Sequence, residues 1–281
     1  MNVAAASRIE RLVADATGSL HPASLWLVAT CIPDDCANLK LGLGNPSRIQ
    51  SWLRQEAGNW PAPLKVGDQL RETSRDEALV FAPLSGSGTK PAHHVALYAD
   101  GSSLSAVEIG ALRDADTTPG SQWAIGEGSI AWLTVCFARC AAQWATKAGA
   151  RGSASIDLRF VSSAPSDDQV PLQLWSFAGG TNAPCGHVLL KSQPSQAVFD
   201  IADGRTGQVV HIARLLLLPL LAQFGLVGSR HIDGTGTLIS TNFVGHAPRI
   251  EAWAREIGVS FISSSTPVTE PPVSSRVGYP S

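Results

Sequence analysis

Cysteine and histidine are the side chains whose chemistry is worth weighing first, and they fall into three groupings. In Pro184-Cys185-Gly186-His187 an imidazole stands two residues from a thiol. A neighbouring imidazole lowers a thiol pKa, and the thiolate is the reactive form, so Cys185 with His187 is the candidate nucleophile pair. His211 or His231 would complete a dyad only if the fold carried it there. The competing reading is a turn with a small residue ahead of a strand, since no nucleophile elbow surrounds the pair.

The second grouping is two cysteine pairs. Cys31 and Cys36 flank Pro33-Asp34-Asp35, and Cys136 and Cys140 stand four apart in a helical pattern. Four thiolates from such pairs suit tetrahedral zinc. A helical pair beside Trp and Phe suits small apolar packing better, and the Cys31–Cys36 spacing is longer than a zinc knuckle's. No metal and no cofactor is expected from this pattern.

The third grouping opens on His93-His94. A strand ending at Asp100 would set His94, Ala96, Tyr98 and Asp100 on one face, with Val95, Leu97 and Ala99 on the other. With Glu108 on the partner strand, His94, Tyr98, Asp100 and Glu108 form the candidate ligand or partner face. The same pattern also describes a merely solvated sheet face. Two glycine-rich stretches carry less. Gly86-Ser87-Gly88-Thr89-Lys90 is followed by Pro91 and lacks the spacing of a phosphate loop, and Gly42-Leu43-Gly44-Asn45 falls short of a dinucleotide fingerprint.

The elements that must position these residues are legible from periodicity. Ser7-Arg8-Ile9-Glu10 fits a capping box, followed by the apolar stripe Ile9, Leu12, Val13 and Ala16. Ser24–Cys31 reads as a buried strand, and Asn45-Pro46 opens a second helix that ends at Gly58. Strands follow at Leu64–Arg71, Glu77–Leu84, His93–Ala99 and Leu104–Ile109, with Asp100-Gly101 as a hairpin turn. Asp114 and Asp116 read as turn residues. The longest helical pattern runs from about Ser129 to Ala148. Strands recur at Ser153–Val161, Val170–Phe177, His187–Leu190 and Ala197–Ile201. A helix from Gly207 to Phe224 should be kinked or divided by Pro219. A strand over Leu238–Val244 and a helix over Pro248–Ile257 close the pattern, and the Ser/Pro/Thr-rich tail from 263 to 281 reads as disordered.

Arg48-Ile49-Gln50-Ser51-Trp52-Leu53-Arg54 and Arg249-Ile250-Glu251-Ala252-Trp253-Ala254-Arg255 share Arg, Ile, Trp and Arg in register. A duplicated module accounts for this, as does convergence of two short amphipathic helices. The expected fold is α+β, mostly antiparallel sheet flanked by helices, with two pseudo-repeated halves: residues 1–150 and 151–262.

Composition bounds the rest. The chain has 281 residues, 21 Lys+Arg against 23 Asp+Glu, and 44% hydrophobic residues, which suits a globular core. The net charge of -2 supplies no basic excess for nucleic acid. A local arginine face of Arg48, Arg54, Arg249 and Arg255 is diluted by Glu56, Glu251 and Glu256. No apolar run reaches a membrane span, no secretory leader is seen at the start, and five cysteines argue against a disulfide framework, so a cytoplasmic location is expected. The expected role is a non-catalytic binding or regulatory module for a protein partner or small ligand, docking along an exposed edge strand such as His93–Ala99. A cysteine-dependent hydrolase or transferase is the alternative, and DNA binding ranks last.

Overall fold

The computed structural model describes residues 3–21, 23–35, 51–52, 70–73, 78–81, 93–114, 121–162, 170–178 and 181–263. Most of the expected helix after Asn45, Cys36, Arg48, Arg54, the Gly86–Lys90 loop and the tail lie outside them.

The organising element is a seven-stranded antiparallel sheet. Its strands are β1 (Leu25–Pro33), β2 (Leu70–Thr73), β3 (Ala78–Phe81), β4 (His93–Tyr98), β5 (Ser103–Glu108), β8 (Ser153–Ser162) and β11 (Ser195–Asp200), in the order β11-β8-β1-β5-β4-β3-β2. β1 is buried along its whole length because both faces are roofed. Leu25, Leu27, Ala29 and Cys31 point into one core cluster, and Trp26, Val28 and Ile32 into another. That alternation is the two-residue pleat period. It explains why a doubly covered strand reads as a continuous apolar run.

One roof is α1 (Val3–Thr17), which buries Ala5, Ile9, Leu12, Val13 and Ala16. The helix begins four residues before the expected Ser7 cap. The good helix formers Ala4 to Ala6 extend it, and Ala5 adds one more turn to the buried stripe. The opposite roof is α2 (Glu127–Lys147), which is buried on nearly every side, from Ile130 and Val135 to Cys140 and Trp144. It packs on β1 and β5 of the long sheet and on β7 (Ser121–Gly126) and β9 (Leu172–Ala178) of a second sheet. A helix that is apolar all round belongs in such a place.

The second sheet has the order β10-β9-β7-β6, from β6 (Ala111–Asp114), β7 (Ser121–Gly126), β9 (Leu172–Ala178) and β10 (Thr181–Leu189). β7 and β9 are parallel and the outer pairs antiparallel. Asp114 was expected in a polar loop and instead ends β6. That strand is exposed throughout, so hydrophobic alternation gave no signal for it.

α3 (Val209–Gln223) packs beside α2 and over β11. It runs through Pro219 without the expected division. Pro219 lies on the exposed side of the helix. The strand expected over Leu238–Val244 shrinks to β12 (Leu238–Ile239), paired parallel to β13 (Phe261–Ile262), with a 3-10 turn at Ser240–Asn242. Ser240 explains the early stop. Its hydroxyl lies 2.7 Å from Glu251 Oε1 and 2.9 Å from the Ile262 carbonyl oxygen and shares its one proton between them, fixing the backbone in a turn. α4 (Ala247–Ile257) then ends at Gly258.

The fold is α+β with mostly antiparallel sheets, and an internal duplication is not shown. Strands from both sides of residue 150 share the long sheet, where β11 and β8 continue the block β1-β5-β4-β3-β2 and β8 pairs with β1 over nine residues. The two tryptophans of the repeated motif do share a partner. Trp52 meets Trp144 at 5.7 Å and Trp253 meets Trp132 at 5.4 Å, both on α2.

Candidate functional site

Cys185 and His187 sit on β10, where the ladder with β9 shifts register after Cys185. Gly186 between them has φ +70°, and a Cβ there would stand 2.3 Å from the Phe224 carbonyl oxygen. The left-handed glycine lets the strand press against the end of α3, where the His187 amide donates to that same oxygen at 2.6 Å. The bend interrupts the alternation that would set the two side chains side by side. Burial pushes the Cys185 thiol up, and the Glu127 charge pushes it further, with Arg230 opposing.

Those two neighbours belong to a cluster that sequence reasoning missed. Glu127 opens α2 and is completely buried, as is the His231 side chain nearly so. Glu127 Oε1 accepts from the Arg230 amide at 2.8 Å and from the Ser229 hydroxyl at 3.1 Å. His231 Nδ1 lies 3.4 Å from the same oxygen, an ion-pair distance off the line of a good hydrogen bond. On the other side of the ring, Nε2 is 3.1 Å from the Asn242 carbonyl oxygen. The Asn242 carbonyl can only accept, which places a ring proton on Nε2. Burial pushes the Glu127 carboxyl up, but His231, the Arg230 amide and Ser176 more than offset this and hold it down to about 2. The place suits the charge, since the positive end of a helix dipole faces it.

The one sequence signal for this pair was Gly128. A Cβ at that position would meet His231 Nε2 at 2.7 Å, so only glycine admits the ring. His211, the other histidine considered for a dyad, is exposed on α3. The cluster ties the segment from Ser229 to Phe243 onto the start of α2. Phe243 closes it by packing edge-on to the His231 ring at 4.8 Å.

His94, Tyr98, Asp100 and Glu108 do come to one side of the long sheet, and it is the side that α1 roofs. Ala96 and Tyr98 join the α1 core cluster. Arg8 of α1 bonds Asp100 at 3.2 Å and lies over the Tyr98 ring at 5.1 Å. Glu108 accepts from the Ser24 hydroxyl at 2.5 Å. Burial, with the charge of His93, presses the His94 ring down to about 4. β4 is an interior strand with β5 and β3 on either side, which corrects the expectation of an exposed edge at His93–Ala99. The physical reason is composition: the run Val95–Tyr98 is apolar on both faces because both faces are covered.

Cys31, Cys136 and Cys140 are free and lie buried between β1 and α2. Burial pushes all three thiols up, Cys140 to about 11, against a hydrogen bond from Ser105. Among the described residues no group of three or more His, Cys, Asp or Glu side chains is placed to hold a metal ion. No helix among them is long and apolar enough to cross a membrane.

The sheet edges differ in how they meet solvent. β10 carries Pro184, which has no amide to donate, then the Gly186 bend and the His187 bond to α3. β6 has four residues. β11 has six, all in unbroken register with β8, and contains no proline, glycine or lysine. Those are the usual devices that blunt an edge against further pairing. Among the described residues nothing pairs with the outer side of β11. No family model, no curated protein and no solved structure matches the chain.

Proposed function

We propose that the protein is a non-catalytic binding module that takes an extended segment of a protein partner along β11. The observation that carries this reading is the regular, unblunted edge of Ser195–Asp200 on a seven-stranded sheet. In an antiparallel ladder alternate residues of an edge strand turn both amide and carbonyl outward, and a partner strand satisfies them. Val198 at the middle of the strand is 50% exposed and offers an apolar contact on one face.

A cysteine hydrolase would need a thiolate at Cys185, and the thiol is pushed the other way by burial and by Glu127. DNA binding draws little from Arg255, which pairs with Glu251 at 3.2 Å. A photo-crosslinking side chain at Val198, compared with one at the fully exposed Val227, tests the reading in the native host. A discrete adduct from position 198 alone is expected. No adduct at 198, or the same products from both positions, overturns it.

A further inference from the structure

We infer that the segment added along β11 is the β11 strand of a second copy of this chain, paired about a two-fold axis through Val198. The inference rests on the edge-pairing reading above and names its partner. An antiparallel pair must match faces, so opposed residue numbers must have an even sum. One such register sets Val198 opposite Val198 of the other copy, Ala197 opposite Phe199, and Gln196 opposite Asp200. Every pair then matches in character: apolar with apolar, amide with carboxylate, and no two like charges opposed. The register one step away, centred on an Ala197 pair, sets Gln196 against Val198 and Ser195 against Phe199, so polar meets apolar on either side of the centre.

The neighbouring helix α3 flanks the same edge from the face of the sheet opposite Val198, the face that carries Ser195, Ala197 and Phe199. α3 lies over β11 and is held there by the Ser195 hydroxyl, which donates to the Leu216 carbonyl at 2.6 Å. The side of α3 that the core leaves uncovered carries His211, Leu215, Leu218 and Ala222, at helical spacing. Leu215 is 40% exposed. A solvent face with two leucines beside an open strand is an unusual use of surface for a helix that stays in water. About the same two-fold axis the two α3 helices lie on one side of the joined sheet, flanking the seam.

Sedimentation velocity on the full chain tests this, together with Val198→Lys and Val198→Cys. A pair of short strands is a small interface, so a dimer that dissociates near the micromolar range is expected. Val198→Lys should weaken it at least about tenfold through charge repulsion at the seam, with the far-ultraviolet circular dichroism unchanged. Mild oxidation of Val198→Cys should give a disulfide-linked dimer, and the photo-adduct at position 198 should have twice the chain mass. A wild-type chain that stays monomeric at about 100 μM, well above that range, overturns self-pairing. So does a dimer that Val198→Lys leaves intact. A monomeric chain whose Val198 adduct contains a different protein overturns the second copy while keeping strand addition. A monomer with no adduct overturns both.

Discussion

Glu127 and His231 set the behaviour of the protein toward acid at the level of single residues. The Glu127 carboxyl is held at about 2, below its ordinary 4.5. The folded state therefore binds this proton less readily than the unfolded chain does. Its contribution to stability is full above pH 4.5 and is lost as the pH falls toward 2. Glu127→Gln should cost about 1–3 kcal/mol at neutral pH, because it replaces a buried carboxylate that accepts from the Arg230 amide and the Ser229 hydroxyl. The gap from wild type should narrow across that acid window in urea titrations run at stepped pH. His94 acts in the same direction at milder pH. Its ring is held at about 4 against an ordinary 6.5, so its contribution is present above pH 6.5 and lost as the pH falls through 4. His94→Gln should flatten the stability profile between those two values while leaving the lower limb in place. Gly128→Ala should destabilise by about 1–3 kcal/mol, despite the better helix propensity of alanine, because the buried ring it strikes is held by the Asn242 carbonyl and the Phe243 ring.

Between elements, the join of α1 to the long sheet turns on one arginine. Arg159 of β8 reaches Asp157 at 2.6 Å and both carboxylate oxygens of Glu10 on α1 at 2.8 and 3.0 Å. Asp157 has no exposure and also accepts from Gln196 of β11 at 2.8 Å, while Glu10 is 65% exposed. The two ends of the bridge are therefore unequal. Arg159→Ala leaves a buried carboxylate short of its cation and should cost about 3–5 kcal/mol. Glu10→Ala removes only a wet ion pair and should cost about 1 kcal/mol or less, both read from chemical denaturation. Such joins explain what periodicity revealed and what it did not. The stripe Ile9, Leu12, Val13 and Ala16 marked α1, and Ile130 through Ala148 marked α2, because burial against a sheet demands a helical repeat. β6 and the turn at Ser240 left no such trace, one because it is exposed and the other because a side-chain hydroxyl ends the strand. The Glu127–His231 pair was hidden for another reason: its partners stand over a hundred residues apart, and only the small residue Gly128 hinted that something presses close.

On the scale of the whole chain, both sheets are woven from residues on either side of 150. A break there separates β1 from β8 and β7 from β9. Fragments 1–150 and 151–281 made separately should each lack a cooperative thermal transition, and mixing them should restore one, as followed by circular dichroism. Two independently melting fragments would mean that each half holds its own core.

The central position of β1 also bears on how the protein is made. β1 is synthesised ahead of both its neighbours, β5 and β8, and both its faces are apolar. Translation at about 5–20 residues per second means that the strand waits on the order of ten seconds for β8. For that interval the edge of β1 that takes β8 has no native partner, while α1 is already made to cover Trp26, Val28 and Ile32, so mispairing at that one edge is the hazard of synthesis.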